Sequence, residues 1–389
     1  MKLHVRRQIA SGDWLTGDRL PSQSHIARHL GVSRHSVRRA LGDLERDGTL
    51  EGAKYSSRRV AGVARSTTPV PLSASAAATE PGNANRLIAR SIVHLCSRDV
   101  YRESHLLDSG FLIDADLMLQ RVLRDRNVNS LCMPLSAMDE LSATELAASR
   151  PRGLVLTPNA PTPPFVDKLV RDALSVGVRV VTSLTEGVPD ACVTVCPDHE
   201  AGGRMIVDEL ARRGCRSVQR LWTHTTYDVR AWCHRRDAGV SERATGLGLE
   251  LPPAIDAFAF PTRPMVDGDR RPYESGVRLL IGAIFKMVRG GTLPDAFVCS
   301  SDYAAMVLDQ ALAELGVPTE QRPLLAGYDN TWRSLVRLGW GQRPPAITVE
   351  KNNHEQGQQL ALVVLDPEAG SKLIEPTLVL PENDPQPLK

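Results

Sequence analysis

The sequence predicts a multidomain protein: a small helical N-terminal module, then a larger α/β domain of two lobes with parallel sheets. Three observations predict this. The composition is that of a globular chain, 42% hydrophobic and 24% charged over 389 residues, long enough for two or three domains. Helix and turn signals crowd residues 1–60. From about residue 87, short apolar runs alternate with amphipathic helical stretches, the pattern of parallel strands covered by helices.

The elements follow in chain order. Residues 61–86, AGVARSTTPVPLSASAAATEPGNANR, are rich in Ala, Ser, Thr and Pro and predict a linker. Beyond it the strand candidates are Ser91–Cys96, Ser130–Met133, Gly153–Thr157, Arg179–Thr182, Ala191–Val195, Ser217–Trp222, Ala257–Phe260, Ala296–Cys299, Leu324–Gly327 and Ala346–Val349. Helical patterns lie between them over Phe165–Val176, Glu200–Arg213, Tyr273–Arg289 and Ala304–Leu315. These strands exceed one comfortable doubly wound sheet, so two lobes are expected.

Charge and cysteine usage narrow the class. Residues 1–60 hold twelve Lys/Arg against six Asp/Glu, so they carry +6 of the chain's net +2, and the remainder carries −4. Such a split suits one segment that meets a polyanion and a body that does not. The seven cysteines are odd in number and form no zinc-type pattern, so reduced structural thiols are expected, with no metal and no cofactor. No run of about 18 apolar residues is present, so no membrane span is expected. The opening MKLHVRRQIASGDW lacks the apolar centre of a signal peptide, and a cytoplasmic location is expected.

The N-terminal module has helix-turn-helix logic. Pro21 and Ser22 start a helix whose apolar face is Ile26, Ala27 and Leu30; Gly31 allows the turn, and Ser33 is placed to cap the next helix. There Val37, Ala40, Leu41 and Leu44 form one stripe, while His35 and Arg39 point away from it and Arg38 flanks it. A second helix with cations near its start is the kind that enters a major groove. This segment resembles the winged helix-turn-helix domain of the GntR family of bacterial regulators. The resemblance rests on Gly17-Asp18-Arg19-Leu20-Pro21-Ser22, Gly31-Val32-Ser33-Arg34, Val37-Arg38-Arg39-Ala40-Leu41, Leu44 and Asp47-Gly48. It implies double-stranded operator DNA as partner and places Ser33, Arg34, His35, Ser36 and Arg38 at the DNA. Two departures are visible: Gln23-Ser24 stands where the family often has an acidic-Arg pair, and the wing, Gly52 to Val60, is poor in glycine. Lys54, Arg58 and Arg59 remain candidates to grip phosphate from that wing.

A second resemblance covers more of the chain. Asp198-His199-Glu200-Ala201-Gly202-Gly203-Arg204, Arg213-Gly214-Cys215-Arg216-Ser217-Val218, Pro294 to Asp302, Ala326-Gly327-Tyr328-Asp329-Asn330 and Pro345-Ala346-Ile347-Thr348-Val349 resemble LacI-type regulators in order and spacing. That implies a periplasmic-binding-protein-like fold with two Rossmann-like lobes, three crossovers and a ligand in the cleft. The first lobe is expected over about 87–197 plus 353–374, and the second over 198–352 plus 375–389. Ligands in open α/β sheets bind beyond the carboxyl ends of the strands. This rule nominates Ser97, Arg98, Asn159, Ser183, Thr223 to Asp228, Ser301, Asp302, Asp329 and Asn330. By family position Arg236, three before Gly239, and Asp329 would hydrogen-bond a hydroxyl-rich effector; they also form an ordinary salt bridge. Asp302 doubles as a candidate helix N-cap. Trp222, Tyr227, Trp232 and Trp332 are the aromatic candidates for stacking.

The expected function is therefore a homodimeric regulator, a repressor, whose operator affinity follows a sugar or related metabolite. The alternative is a constitutive dimeric DNA-binding protein with no effector. An enzyme is disfavoured, because no G-x-G-x-x-G after a strand, P-loop, G-x-S-x-G or H-E-x-x-H motif occurs.

Overall fold

The computed structural model of the protein describes residues 34–46, 50–51, 59–60, 81–96, 114–157, 165–184, 187–224, 231–258, 271–337, 339, 341 and 343–383. The chain forms two compact units, Met1–Glu80 and Pro81–Lys389.

In the first unit, helix α1 spans Arg34–Arg46 and strands β1 (Leu50–Glu51) and β2 (Arg59–Val60) pair antiparallel, Leu50 opposite Val60. Val37, Leu41 and Leu44 recur at i, i+4 and i+7 and are buried, as is Leu50, so the predicted stripe is the packing face. The first predicted helix, 22–30, lies outside the described residues.

The second unit opens with helix α2, Pro81–Ala89, where the sequence composition suggested the end of the linker. Proline at the first helical position costs no hydrogen bond, and the residues that follow carry Leu87 and Ile88. The first sheet has six parallel strands in the order β13-β7-β6-β5-β3-β4. They are β3 (Ile92–Cys96), β4 (Ser130–Pro134), β5 (Gly153–Thr157), β6 (Val180–Thr182), β7 (Val193–Pro197) and β13 (Lys372–Ile374). Helices α3 (Asp114–Asp125), α4 (Glu140–Ala148), α5 (Phe165–Ser175) and α11 (Asn353–Leu365) cover it.

The second sheet is parallel too, in the order β11-β10-β8-β9: β8 (Val218–His224), β9 (Ile255–Phe258), β10 (Ala296–Cys299) and β11 (Leu324–Ala326). Around it lie α6 (His199–Arg212), α7 (Ala231–Gly246), α8 (Arg271–Gly290), α9 (Asp302–Glu314) and α10 (Trp332–Arg337). Strand β10 shows why the sequence reads as a continuous apolar run. Ala296 and Val298 pack into one cluster, Phe297 and Cys299 into the cluster on the opposite face, and all four are buried. A short antiparallel pair, β12 (Thr348–Glu350) with β14 (Thr377–Val379), completes the unit.

The chain passes between the two sheets three times: from β7 into α6, from β12 into α11, and from β13 into β14. The crossings brace one another. Asp198 donates its backbone N–H to the Ile374 carbonyl (2.9 Å), and Asn352 Nδ2 donates to the Glu375 carbonyl (2.6 Å) and to Thr377 Oγ1 (3.1 Å). None of the seven cysteines forms a disulfide.

Candidate functional site

The DNA-reading candidates divide by location. Arg34, His35, Ser36 and Arg38 fall in the first two turns of α1, where Arg38 and its neighbour Arg39 are exposed opposite the buried Val37–Leu41–Leu44 face. Ser33, Lys54 and Arg58 lie outside the described residues, and Arg59 sits in β2. A helix packed by one face and cationic on the other, followed by a two-stranded hairpin, is the geometry of a winged helix-turn-helix reading head.

In the second unit the structure brings Arg236 and Asp329 together at the carboxyl end of the second sheet. Arg236 projects from α7 and Asp329 follows β11; Arg236 Nη2 donates to Asp329 Oδ1 at 3.1 Å. The guanidinium is only 3% exposed, and each of its three nitrogens donates one hydrogen bond. Nη1 donates to the Ser300 carbonyl after β10, and Nε donates to His199 Nδ1 at 3.3 Å. Trp232 and Tyr328 clamp its faces, with ring centroids 4.3 and 3.5 Å from Cζ. Lys351, just past β12, reaches the same Asp329 Oδ1 at 3.1 Å. Burial pushes the Asp329 carboxyl up, but Lys351 and Arg236 outweigh it and hold it below the ordinary aspartate value. His199 is held neutral, far below its usual value, by burial first and then by the charges of Arg236, Lys351 and Arg235.

Local sequence explains this placement. Gly203 and Gly239 let α6 and α7 approach so closely that a Cβ on Gly239 would overlap the Glu200 carbonyl, and one on Gly203 would press on the Arg236 carbonyl. The turn after β11 holds Asp329 and Asn330 at φ of 89° and 52°, a left-handed conformation that non-glycine residues adopt at a cost. Asp302 enforces that turn. Its Oδ2 accepts from the N–H groups of Thr331 (2.6 Å) and Trp332 (3.1 Å), and its Oδ1 accepts from Thr348 Oγ1 (2.6 Å).

Several expectations need correction. Asp302 has 0% exposure and all its bonds internal, so it shapes the site from beneath and does not face a ligand. Nor does it cap its own helix: Ser301 does, accepting from Ala304 N–H, which commits the Ser301 hydroxyl. Burial pushes the Asp302 carboxyl up to about 8, with the three bonds opposing and Asp329 adding. Trp222 and Trp332 are no stacking platform, since they are 4% and 3% exposed in the core and Trp222 donates to Asp237. Ser97, Arg98, Asn159 and Thr225 to Arg230, Tyr227 among them, lie outside the described residues. Ser183 follows β6, half-buried, and Asn330 donates to Glu350 at 3.2 Å.

His199, Lys351 and Tyr328 do not stand out along the chain as partners of Arg236 and Asp329. Two signals were available: His199 opens the helix at the first crossing, and Lys351 directly follows the strand at the second. At the carboxyl end of the first sheet, a buried group also went unread: His94 Nε2 lies 2.8 Å from Thr157 Oγ1, which donates to Asp116 Oδ1 at 2.6 Å. A cavity of about 600 Å³ lies elsewhere, among Tyr273, Val277, Gln310, Val336 and Gly341, and draws no residue from α6, α7 or β12. Among the described residues, no group of three or more His, Cys, Asp or Glu is placed to hold a metal, and no helix is long and apolar enough to cross a membrane.

Comparison with known proteins fits this geometry. Residues 2–60 match the family described as bacterial regulatory proteins, gntR family. No curated protein matches the chain by sequence. Among solved structures, the transcriptional regulator CelR in complex with cellobiose is 18% identical, with a TM-score of 0.57 over 93% of this chain and 99% of that one. A LacI-family regulatory protein from Chloroflexus aggregans is 17% identical (TM-score 0.55, 74% and 96% covered). A periplasmic ribose ABC transporter protein from Conexibacter woesei is 16% identical (TM-score 0.58, 76% and 93% covered). The head and its family define the class: this is a DNA-binding transcription regulator. In particular it is a hybrid, with a gntR-type helix-turn-helix head followed by a body whose fold is that of LacI-type regulators and periplasmic binding proteins.

Proposed function

We propose that the chain is a sequence-specific, cytoplasmic repressor whose operator affinity is set by a sugar or related polyhydroxylated metabolite bound beside Arg236, Asp329 and Lys351. The observation that carries this reading is the oriented Arg236–Asp329–Lys351 group at the carboxyl end of the second sheet, beside all three crossings. Fixed donors and one ionised acceptor suit a hydroxyl-rich ligand, because each hydroxyl both donates and accepts. The cellobiose and ribose proteins of the same fold support that ligand class. A ligand touching both lobes there favours one lobe arrangement over another, and only such differential affinity moves the operator equilibrium.

Homodimerisation belongs to the same reading, with two heads on a palindromic operator. Its support is α8, whose solvent face exposes Leu279 and Phe285, 49% and 48% exposed, among Arg278, Lys286 and Arg289.

A thermal-shift screen over mono- and disaccharides tests the effector assignment. A ligand at a hundred times its Kd adds about 2.7 kcal/mol, several degrees in Tm. No shift with any of them, while operator binding stays intact, favours the constitutive alternative and refutes effector control. For the head, Arg34→Ala and Arg38→Ala are expected to weaken specific operator binding; unchanged affinity in both contradicts the helix assignment.

A further inference from the structure

The first sheet carries a concentration of arginine at the end where its strands begin. Because β3, β4, β5 and β6 all run parallel, their starting ends lie side by side at one edge, and α2, α3 and α4 terminate there. Strand spacing of about 4.8 Å puts the starts of β5, β3 and β4 within roughly 10 Å of one another. Backbone bonds lock them in a row: Ile92 N–H donates to the Asn129 carbonyl and Arg152 N–H to the Ser91 carbonyl.

Into this row the chain sends Arg86 and Arg90 from the end of α2, Arg124 and Arg126 from the end of α3, and Arg150 and Arg152 from the end of α4. All six are exposed. Asp125 lies 3.7 Å from Arg124 and 3.8 Å from Arg121, while no carboxylate pairs with Arg86, Arg90, Arg126, Arg150 or Arg152 among the described residues. Asp366 and Glu368 follow α11 at this same strand-start end and are exposed; Arg179, just before β6, donates there to the carbonyls of Val363 and Pro367.

Helix capping accounts for only part of this charge. Three helix C-termini supply about −0.5 each, or roughly −1.5 together. The six arginines and Arg179, less Asp125, Glu145 near the end of α4, Asp366 and Glu368, leave +3, on a body, residues 61–389, whose formal charge is −4. An acidic body that gathers cations on one edge has built a local field, and a planar guanidinium suits phosphate oxygens bidentately. Residues 61–80 join the head to α2. Twenty residues span at most about 70 Å, so a duplex held by the head stays within reach of this edge at high effective concentration.

We infer that the arginine row at the strand-start edge of the first sheet is a second, sequence-independent DNA contact that grips the phosphate backbone of duplex flanking the site read by the head. The inference rests on the DNA-reading assignment of the head and goes beyond it.

The test uses the full chain in wild-type form, as Arg38→Ala, and with Arg90→Gln, Arg126→Gln, Arg150→Gln and Arg152→Gln combined. Binding to mixed-sequence duplexes of about 20 and about 60 base pairs is titrated by fluorescence anisotropy across a salt series. Each lost phosphate contact lowers the slope of log K against log salt by about 0.9. The combined variant is expected to lose about 2–4 in slope on the long duplex and less than 1 on the short one, with far-UV CD unchanged. Equal slopes for variant and wild type on the long duplex overturn the inference, as does an equal loss on both lengths. A weakened Arg38→Ala protein beside an unaffected combined variant leaves the head assignment standing and removes only this contact. Should the combined variant misfold, the two pairs Arg90/Arg126 and Arg150/Arg152, each changed to Gln, repeat the measurement with half the expected loss.

Discussion

Replacing Arg236 by methionine keeps the length of the side chain and its packing between Trp232 and Tyr328, and removes the guanidinium fork. The wild-type group donates to Asp329, to the Ser300 carbonyl and to His199, all from a position 3% exposed. Breaking one side of a buried pair costs about 3–5 kcal/mol, because the remaining charge stays in a low-dielectric site. Two further acceptors lose their donor at about 1 kcal/mol each, and the loss of both ring contacts adds about as much again. Against this, Lys351 still neutralises Asp329 at 3.1 Å, and the thioether restores dispersion contacts with the rings. The net expectation is about 3–5 kcal/mol, or roughly 5–8 °C in the Tm of a unit this size. Differential scanning calorimetry on the full chain measures it, and the sugar that shifts the wild-type Tm is expected to shift the variant no longer. A Tm within about 2 °C of wild type would show that the guanidinium is not the keystone of this cluster. Arg236→Lys separates charge from geometry: it keeps the cation and loses the fork, so it is expected to recover stability in part and ligand response hardly at all.

Asp302 gives a pH signature. Its folded-state pKa, about 8, lies above the unfolded value, so its contribution is full at low pH and is lost as pH rises through the folded pKa. Between pH 5.5 and 7.5 wild type is expected to lose up to about 2.7 kcal/mol that Asp302→Asn does not lose, at about 1.36 kcal/mol per pH unit. Parallel Tm profiles for the two proteins would refute it. Gly239→Ala forces α6 and α7 apart at Glu200 and is expected to cost about 1–3 kcal/mol and weaken ligand binding. Gly246→Ala, with nothing within 4 Å on the same helix, is the control expected to be neutral. Leu279→Ser with Phe285→Ser is expected to raise the monomer fraction in sedimentation velocity; an unchanged association constant would place the dimer contact elsewhere.

Much of this architecture is legible along the chain. The ten strand candidates all correspond to observed strands: Gly153–Thr157 and Ala296–Cys299 coincide, and the others are shifted by one or two residues at their ends. Their buried, apolar runs form wherever a parallel sheet covers both faces, so local sequence suffices. Strands β13 and β14, three residues each, gave no such signal: Lys372 and Leu373 are exposed, and what makes them strands is pairing with β7 and β12. Helix α2 was hidden by composition, because Pro, Gly, Asn and Ala read as linker until a sheet follows directly.

The site divides in the same way. Arg236 and Asp329 were legible through the resemblance to LacI-type regulators, which implies their positions, and Arg38 because its helix has a buried stripe that fixes the opposite face. Sequence alone thus determined the two-part plan and the reading helix, which follow from periodicity, turn chemistry and charge within short windows, and its resemblance to LacI-type regulators implied the central ion pair. Only the tertiary structure decided that Asp302 lies beneath the site and not in it, that His199 and Lys351 complete it, and that arginines from three separate helix ends form one row. Those facts depend on segments up to some 150 residues apart meeting at one end of a parallel sheet, and strand order, which places them there, is not written in any local stretch of the chain.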